Sequence, residues 1–198
     1  MDKLAKHKRI EELHLWGLNT PNMLVHYLNK FGEPPNTYQE IMEFLCNREI
    51  VNVRTFKMED EGFNNPHFLQ ISSSDALCHI IKLLTDGYAV MVEDFSPRYT
   101  IYNGNLMVFN GKNKWAMDYC VGRNKTVRMA DKFITGTFDD LYSGRLPREL
   151  SEIIHLGYCF SKIRPVILEW SWSIIPQGRR KENAIFWEYR SANKSHGI

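Results

Sequence analysis

The sequence predicts an α+β fold, on three observations. The N-terminal part is rich in helical apolar spacing. Two Asn-Gly pairs, Asn103-Gly104 and Asn110-Gly111, each sit between β-prone runs, which is the strongest short-range hairpin signal. A helix opening at Pro147 then leads into two apolar runs separated by a polar loop. This order lacks the regular βαβ alternation of a doubly wound sheet.

Taken in order, residues 3–16 set Leu4, Ile10, Leu13 and Trp16 among charges, the pattern of an amphipathic helix that Gly17 ends. The segment after it is ambiguous. Thr20 with Pro21 suits a helix start, whereas Met23 to Leu28 equally suits a short buried strand. Thr37 and Glu40 form a capping-box signature ahead of Ile41, Phe44 and Leu45, predicting a helix over 38–47. The run EIVNVRTF reads as a strand, followed by a loop over 57–67. Ser74 is the expected N-cap of a helix carrying Leu77, Ile80, Ile81 and Leu84, with Gly87 as its terminator. YAVMVEDF is a strand, residues 99–121 an antiparallel meander with turns at both Asn-Gly pairs, and Pro147 to about Ile163 a helix.

The closing hairpin, 166–191, is the most informative stretch. Side chains alternate faces along a strand. In the first strand Val166, Leu168, Trp170, Trp172 and Ile174 share one face, and Glu169, Ser171 and Ser173 the other. Strict alternation in the second strand puts Ile185, Trp187 and Tyr189 together, opposite Phe186, Glu188 and Arg190. Two acids and an arginine then lie on one polar face. Two carboxylates on adjacent strands can share a divalent cation with phosphate oxygens, and an arginine beside them can clamp phosphate. A plain cross-strand ion pair of Glu169 with Arg190 explains the same residues.

Composition narrows the classes. The chain has 198 residues, 43% of them hydrophobic, and a formal net charge of +2. That suits one sizeable core or two small lobes and gives no support to general polyanion binding. No apolar run approaches the roughly 20 residues of a membrane span, and the first residues lack a secretory signal. Cys46, Cys78, Cys120 and Cys159 form no C-x-x-C pair, so reduced thiols and a cytoplasmic location are expected. Walker, dinucleotide-binding, H-E-x-x-H and G-x-S-x-G motifs are absent.

Four ordered motifs carry a family resemblance. KHKRIEELHLWGLNTP holds Lys6, Gly17 and Pro21; NVRTFKMED holds Arg54, Thr55, Glu59 and Asp60; VMVEDF holds Val92 and Glu93; and the hairpin holds Glu169-Trp170 and Glu188-Tyr189-Arg190. Together they resemble the ATP-grasp nucleotide-binding domain of the pyruvate phosphate dikinase and phosphoenolpyruvate synthase family. Two departures stand out: His7 replaces the family's glycine after the lysine, and Glu188 replaces its glutamine.

The resemblance implies one ATP-grasp-like domain over 1–198, with lobes of roughly 1–87 and 88–198 and antiparallel or mixed sheets. It implies ATP and Mg²⁺ as cofactors. Lys6, Arg54 and Arg190 would neutralise phosphates, Val92, Glu93 and Thr55 would contact the nucleotide, and Glu169 and Glu188 would hold the metal. It implies phosphoryl transfer, as an ATP-dependent phosphotransferase or ligase. A complete dikinase cycle has no room in this chain, so a partner protein or separate catalytic domain is implied. Each residue also has a plain role open to it: Lys6 as a solvated helix lysine, Arg54 paired with Glu59 or Asp60, and Glu93-Asp94 as a polar turn. The competing functions are a non-catalytic nucleotide sensor or partner-binding module, and an RNA-binding protein using Arg179-Arg180-Lys181. The near-neutral charge disfavours the last.

Overall fold

The computed structural model describes residues 6–21, 23–26, 37–56, 65–94, 99–109, 112–122, 130–161, 166–174 and 183–191. The chain forms two compact units, Pro21–Pro97 and the pair of segments Met1–Thr20 and Arg98–Ile198.

The smaller unit comprises β1 (Met23–His26), α2 (Thr37–Cys46), β2 (Ile50–Phe56), β3 (His67–Ser72), α3 (Ser73–Thr85) and β4 (Ala89–Asp94). Its antiparallel sheet runs β1-β4-β2-β3. Of the two readings open for residues after Pro21, the strand is the one adopted. Ile41 and Leu45 of α2 and Ala76, Ile80, Leu83 and Leu84 of α3 bury against Val51, Val53, Val90 and Val92. Alternation leaves Asn52, Arg54, Met91 and Glu93 on the other face of β2 and β4.

Two details differ from the sequence reading. The N-cap of α3 is Ser72, whose hydroxyl accepts from the Asp75 amide, and not Ser74. β3 (His67–Ser72) begins at the last residue of the expected loop over 57–67 and carries no strand signal in the sequence. It is short, and its register against β2 shifts at Val51/Val53, where Gln70 adopts φ +56°. A strand interrupted in this way shows no clean period of two. Gly87, at φ +81°, ends α3 as expected.

The larger unit contains α1 (Lys6–Leu15), β5 (Tyr99–Phe109), β6 (Lys114–Val121), β7 (Lys132–Gly136), a short 3₁₀ helix (Phe138–Tyr142), α4 (Arg148–Ser161), β8 (Val166–Ile174) and β9 (Ala184–Ser191). Its five-stranded sheet runs β7-β6-β5-β8-β9, antiparallel throughout. One face meets α4: Leu150, Ile153, Ile154 and Phe160 join Leu106, Val108, Met117, Leu168, Trp170, Phe186 and Tyr189 in one core. Gly157 permits this approach, because a Cβ there would lie 2.4 Å from Leu106 Cδ2.

The meander over 99–121 has one reversal fewer than expected. β5 runs straight through Asn103-Gly104. Tyr102, Gly104, Leu106 and Val108 keep the period-two alternation across that pair, facing Trp172, Trp170, Leu168 and Val166. Gly104 is there for close approach, since a Cβ would sit 2.0 Å from the Asp118 carbonyl oxygen. Asn110-Gly111 lies outside the described residues, while the strands flanking it pair from Phe109 and Lys114 onward.

The closing hairpin also departs from strict alternation. Leu168 faces Tyr189 and Glu169 faces Glu188, but Trp170 faces Phe186. One residue of β9 is skipped, a β-bulge. Phe186 therefore belongs to the buried Trp170 face, fully buried, and Ile185 faces Ser171 on the other side. Trp187 turns the same way, its Nε1 donating to Ser171 Oγ at 2.9 Å. Ile174, expected in the core, is half exposed.

Candidate functional site: a carboxylate rung on the open sheet face

The face of the larger sheet opposite α4 carries a polar row. Asp118 on β6 faces Asn105 on β5, Asn105 faces Glu169 on β8, and Glu169 faces Glu188 on β9. Directly opposed residues share a face, so these four side chains form one rung across four strands. Asn105 is tied to Asp118, donating from its amide at 2.8 Å and its side chain at 2.9 Å to Oδ1.

Opposed like charges destabilise a sheet, so the two glutamates need counter-charge. Arg190, two residues after Glu188, reaches Glu169 Oε2 at 3.6 Å and is 59% exposed. Glu188 is met by Arg9 of α1, Nη2 to Oε1 at 2.6 Å, with the two side chains 17% and 12% exposed. The Arg9 contact is the tighter and drier. One turn further along α1, Glu12 accepts a hydrogen bond from the Tyr189 hydroxyl. Helix α1 thus grips two successive residues of β9.

On the β5–β6–β7 side of the rung lies a groove of about 750 Å³, whose walls include Asn105, Asp118, Asp131, Lys132, Ile167 and Arg190; Glu169 and Glu188 adjoin it through Asn105 and Arg190 and are not among its walls. A cation fits the donor chemistry: Mg²⁺ is commonly held by one or two carboxylates, with water and phosphate oxygens completing its shell. Asp118, at the other end of the rung, is held by Asn105, and among the described residues no three acids, histidines or cysteines are placed to share one metal ion. A cation here would therefore take most of its oxygens from a ligand.

The other expected residues are distributed as follows. Lys6 opens α1, and its side chain lies outside the described residues, as do Glu59, Asp60 and Arg179-Arg180-Lys181. Arg54, Thr55, Val92 and Glu93 belong to the smaller unit. Arg54 Nε donates to Glu93 Oε2 at 2.9 Å, while Glu59 and Asp60, the partners expected for it, lie outside the described residues. Glu93 is 1% exposed and faces Asn52, whose Oδ1 accepts from the Gln70 amide at 2.9 Å. Val92 packs in the core, and the Thr55 hydroxyl donates to the Pro66 carbonyl at 2.6 Å.

Sequence reading missed Arg9, Asn105 and Asp118. An aspartate in the middle of a strand is uncommon enough to have marked position 118. Arg9 has no such signal, because its partner is 179 positions away in the chain.

No protein-family model matches the chain, and no curated protein matches its sequence. Solved structures do match its shape. D-alanyl-alanine synthetase A from Vibrio cholerae O1 biovar eltor superposes with a TM-score of 0.56 at 11% identity, covering 94% of this chain and 54% of its own. A RimK-domain ATP-grasp protein from Sphaerobacter thermophilus gives 0.52 at 14% identity, covering 95% and 58%. D-alanine–D-alanine ligase from Bacillus anthracis, solved in complex with ATP, gives 0.50 at 12%, covering 94% and 52%. The chain spans little more than half the length of these structures. The fold is thereby α+β and ATP-grasp-like.

Proposed function

We propose that this chain binds ATP as its Mg²⁺ complex, with Glu169 and Glu188 holding the cation and Arg190 the phosphates. The carrying observation is the direct opposition of Glu169 and Glu188 on β8 and β9. Two acids held face to face on a rigid sheet, beside a groove large enough for a small-molecule ligand, suit a shared cation. The ATP-grasp-like fold and the ATP-bound Bacillus anthracis relative in shape support the nucleotide.

On this reading the chain's residues position and neutralise. The β8–β9 ladder fixes the spacing of the carboxylates. Arg190, exposed at the groove wall, is free to pivot from Glu169 toward a phosphate, which a guanidinium can grip with two parallel hydrogen bonds. Bound Mg²⁺ would offset the charge on phosphate oxygens, the main requirement of phosphoryl transfer. The four ordered motifs support kinship with the dikinase nucleotide domain, residues 1–198 acting as one such domain. Lys6, Arg54, Thr55, Val92 and Glu93 are further ligands that this kinship implies.

Calorimetric titration with ATP, with and without Mg²⁺, tests the reading. Heat and a rise in melting temperature are expected only with both, since a ligand that binds the native state must stabilise it. No heat at millimolar ATP with Mg²⁺ overturns it. The second reading, a nucleotide-binding module without chemistry, draws support from the Arg9–Glu188 pair, which already neutralises one acid. Binding without any single-turnover loss of the γ-phosphate would select it.

A further inference from the structure

We propose that Arg9 is the resident counter-ion of this cation site, so that a divalent cation enters only together with a polyphosphate. The inference rests on the reading of Glu169 and Glu188 as cation ligands, and it concerns when they become available.

Charge and reach are the basis. Glu169 and Glu188 each already have an arginine partner, Arg190 and Arg9. Arg9 lies 2.6 Å from Glu188, and both side chains are largely withdrawn from water. Its position is not loose, because Glu12 on the same helix holds the Tyr189 hydroxyl and Ile10 and Leu13 are fully buried. A cation approaching Glu188 alone meets a guanidinium already there. Taking the carboxylate would displace Arg9 from it and bring a dication beside a guanidinium in a partly dehydrated place, which is unfavourable. A polyphosphate changes the balance. It brings its own negative charge, and its oxygens give a displaced guanidinium a new and geometrically suited acceptor. Arg190, more exposed and 3.6 Å from Glu169, presents a much weaker barrier. The gate is therefore Arg9.

The test uses Mn²⁺ alone, followed by water-proton relaxation, on the parent, Arg9→Gln and Arg9→Lys. The parent should bind Mn²⁺ weakly. Arg9→Gln should bind it at least about tenfold more tightly, equivalent to about 1.4 kcal/mol, and Arg9→Lys, which keeps the charge, should stay near the parent. Equal affinity in the parent and Arg9→Gln overturns the proposal. Should Arg9→Gln not fold, the parent decides: its melting temperature should rise with Mn²⁺ plus tripolyphosphate and not with Mn²⁺ alone, and an equal rise with Mn²⁺ alone overturns the proposal. Glu169→Gln and Glu188→Gln separate the two levels. If they leave Mg²⁺-dependent nucleotide binding intact, the cation reading itself fails. If they abolish it while Arg9→Gln leaves Mn²⁺ affinity unchanged, only the counter-ion proposal fails.

Discussion

Trp170 on β8 faces Phe186 on β9, although Glu169, one residue earlier, faces Glu188. The single skipped residue exchanges the two faces of β9 between its halves. Tyr189 and Phe186, three apart, share the core that meets α4, while Glu188 and Ile185, also buried, share the opposite face. The bulge lets β9 place an aromatic pair on one face and Glu188, with its Arg9 partner, on the other without an alternating sequence.

The first prediction follows from that exchange. Phe186→Ala should cost roughly 3–5 kcal/mol, as expected for a fully buried aromatic, whereas Trp187→Ala should cost clearly less, because Trp187 lies on the open face. Denaturant unfolding of both variants checks it. The reverse order would restore strict alternation.

Gly104 gives the second. Its φ is not positive, so alanine is acceptable to the backbone there. Its Cβ is not, with the Asp118 carbonyl oxygen 2.0 Å away. Gly104→Ala should destabilise by about 1–3 kcal/mol, the range of overpacking, through separation of β5 from β6. Urea midpoints at neutral pH report this, and an unchanged midpoint would mean the strands are less close than described.

Third, the two glutamates should differ in stability and agree in function. Glu169 is 28% exposed with a distant, exposed arginine, so Glu169→Gln should change stability by about 0.5 kcal/mol or less. Glu188→Gln removes a short charged hydrogen bond from a drier place and should cost about 1.5–3 kcal/mol. Both should lose Mg²⁺-dependent nucleotide binding, measured at a temperature where each is folded. Retained binding in either variant counts against a shared cation.

Fourth, Asp140 makes an acid-sensitive contribution. Hydrogen bonds from the Thr137 side chain and backbone hold its carboxyl below the ordinary aspartate range, with Arg145 adding to the effect. A lowered folded pKa means that the stabilisation is present above the unfolded value, roughly pH 4, and fades as pH falls through the lower folded value. Asp140→Asn should therefore be less stable than the parent at neutral pH, and the gap should close as the solution is acidified. Unfolding curves from neutral to strongly acidic pH would reveal a constant gap if the carboxylate were irrelevant.

The sequence by itself determined the element types wherever a local period was unbroken. The helices at Lys6–Leu15, Thr37–Cys46, Ser73–Thr85 and Arg148–Ser161 follow from apolar spacing and caps, and Glu169 on an open face follows from alternation in β8. Only the tertiary structure decided the rest. Asn103-Gly104 carries turn chemistry, yet it lies inside a strand because Tyr102, Leu106 and Val108 find partners across β8, and burial outweighs a local turn preference. The β9 bulge inverts a face, so that Phe186 joins Tyr189 in the core and Ile185 faces Ser171 instead. Arg9 reaches Glu188 because α1 packs on the edge strand β9, a pairing over 179 residues. Local rules see neighbours in the chain, whereas counter-charge is a property of neighbours in space.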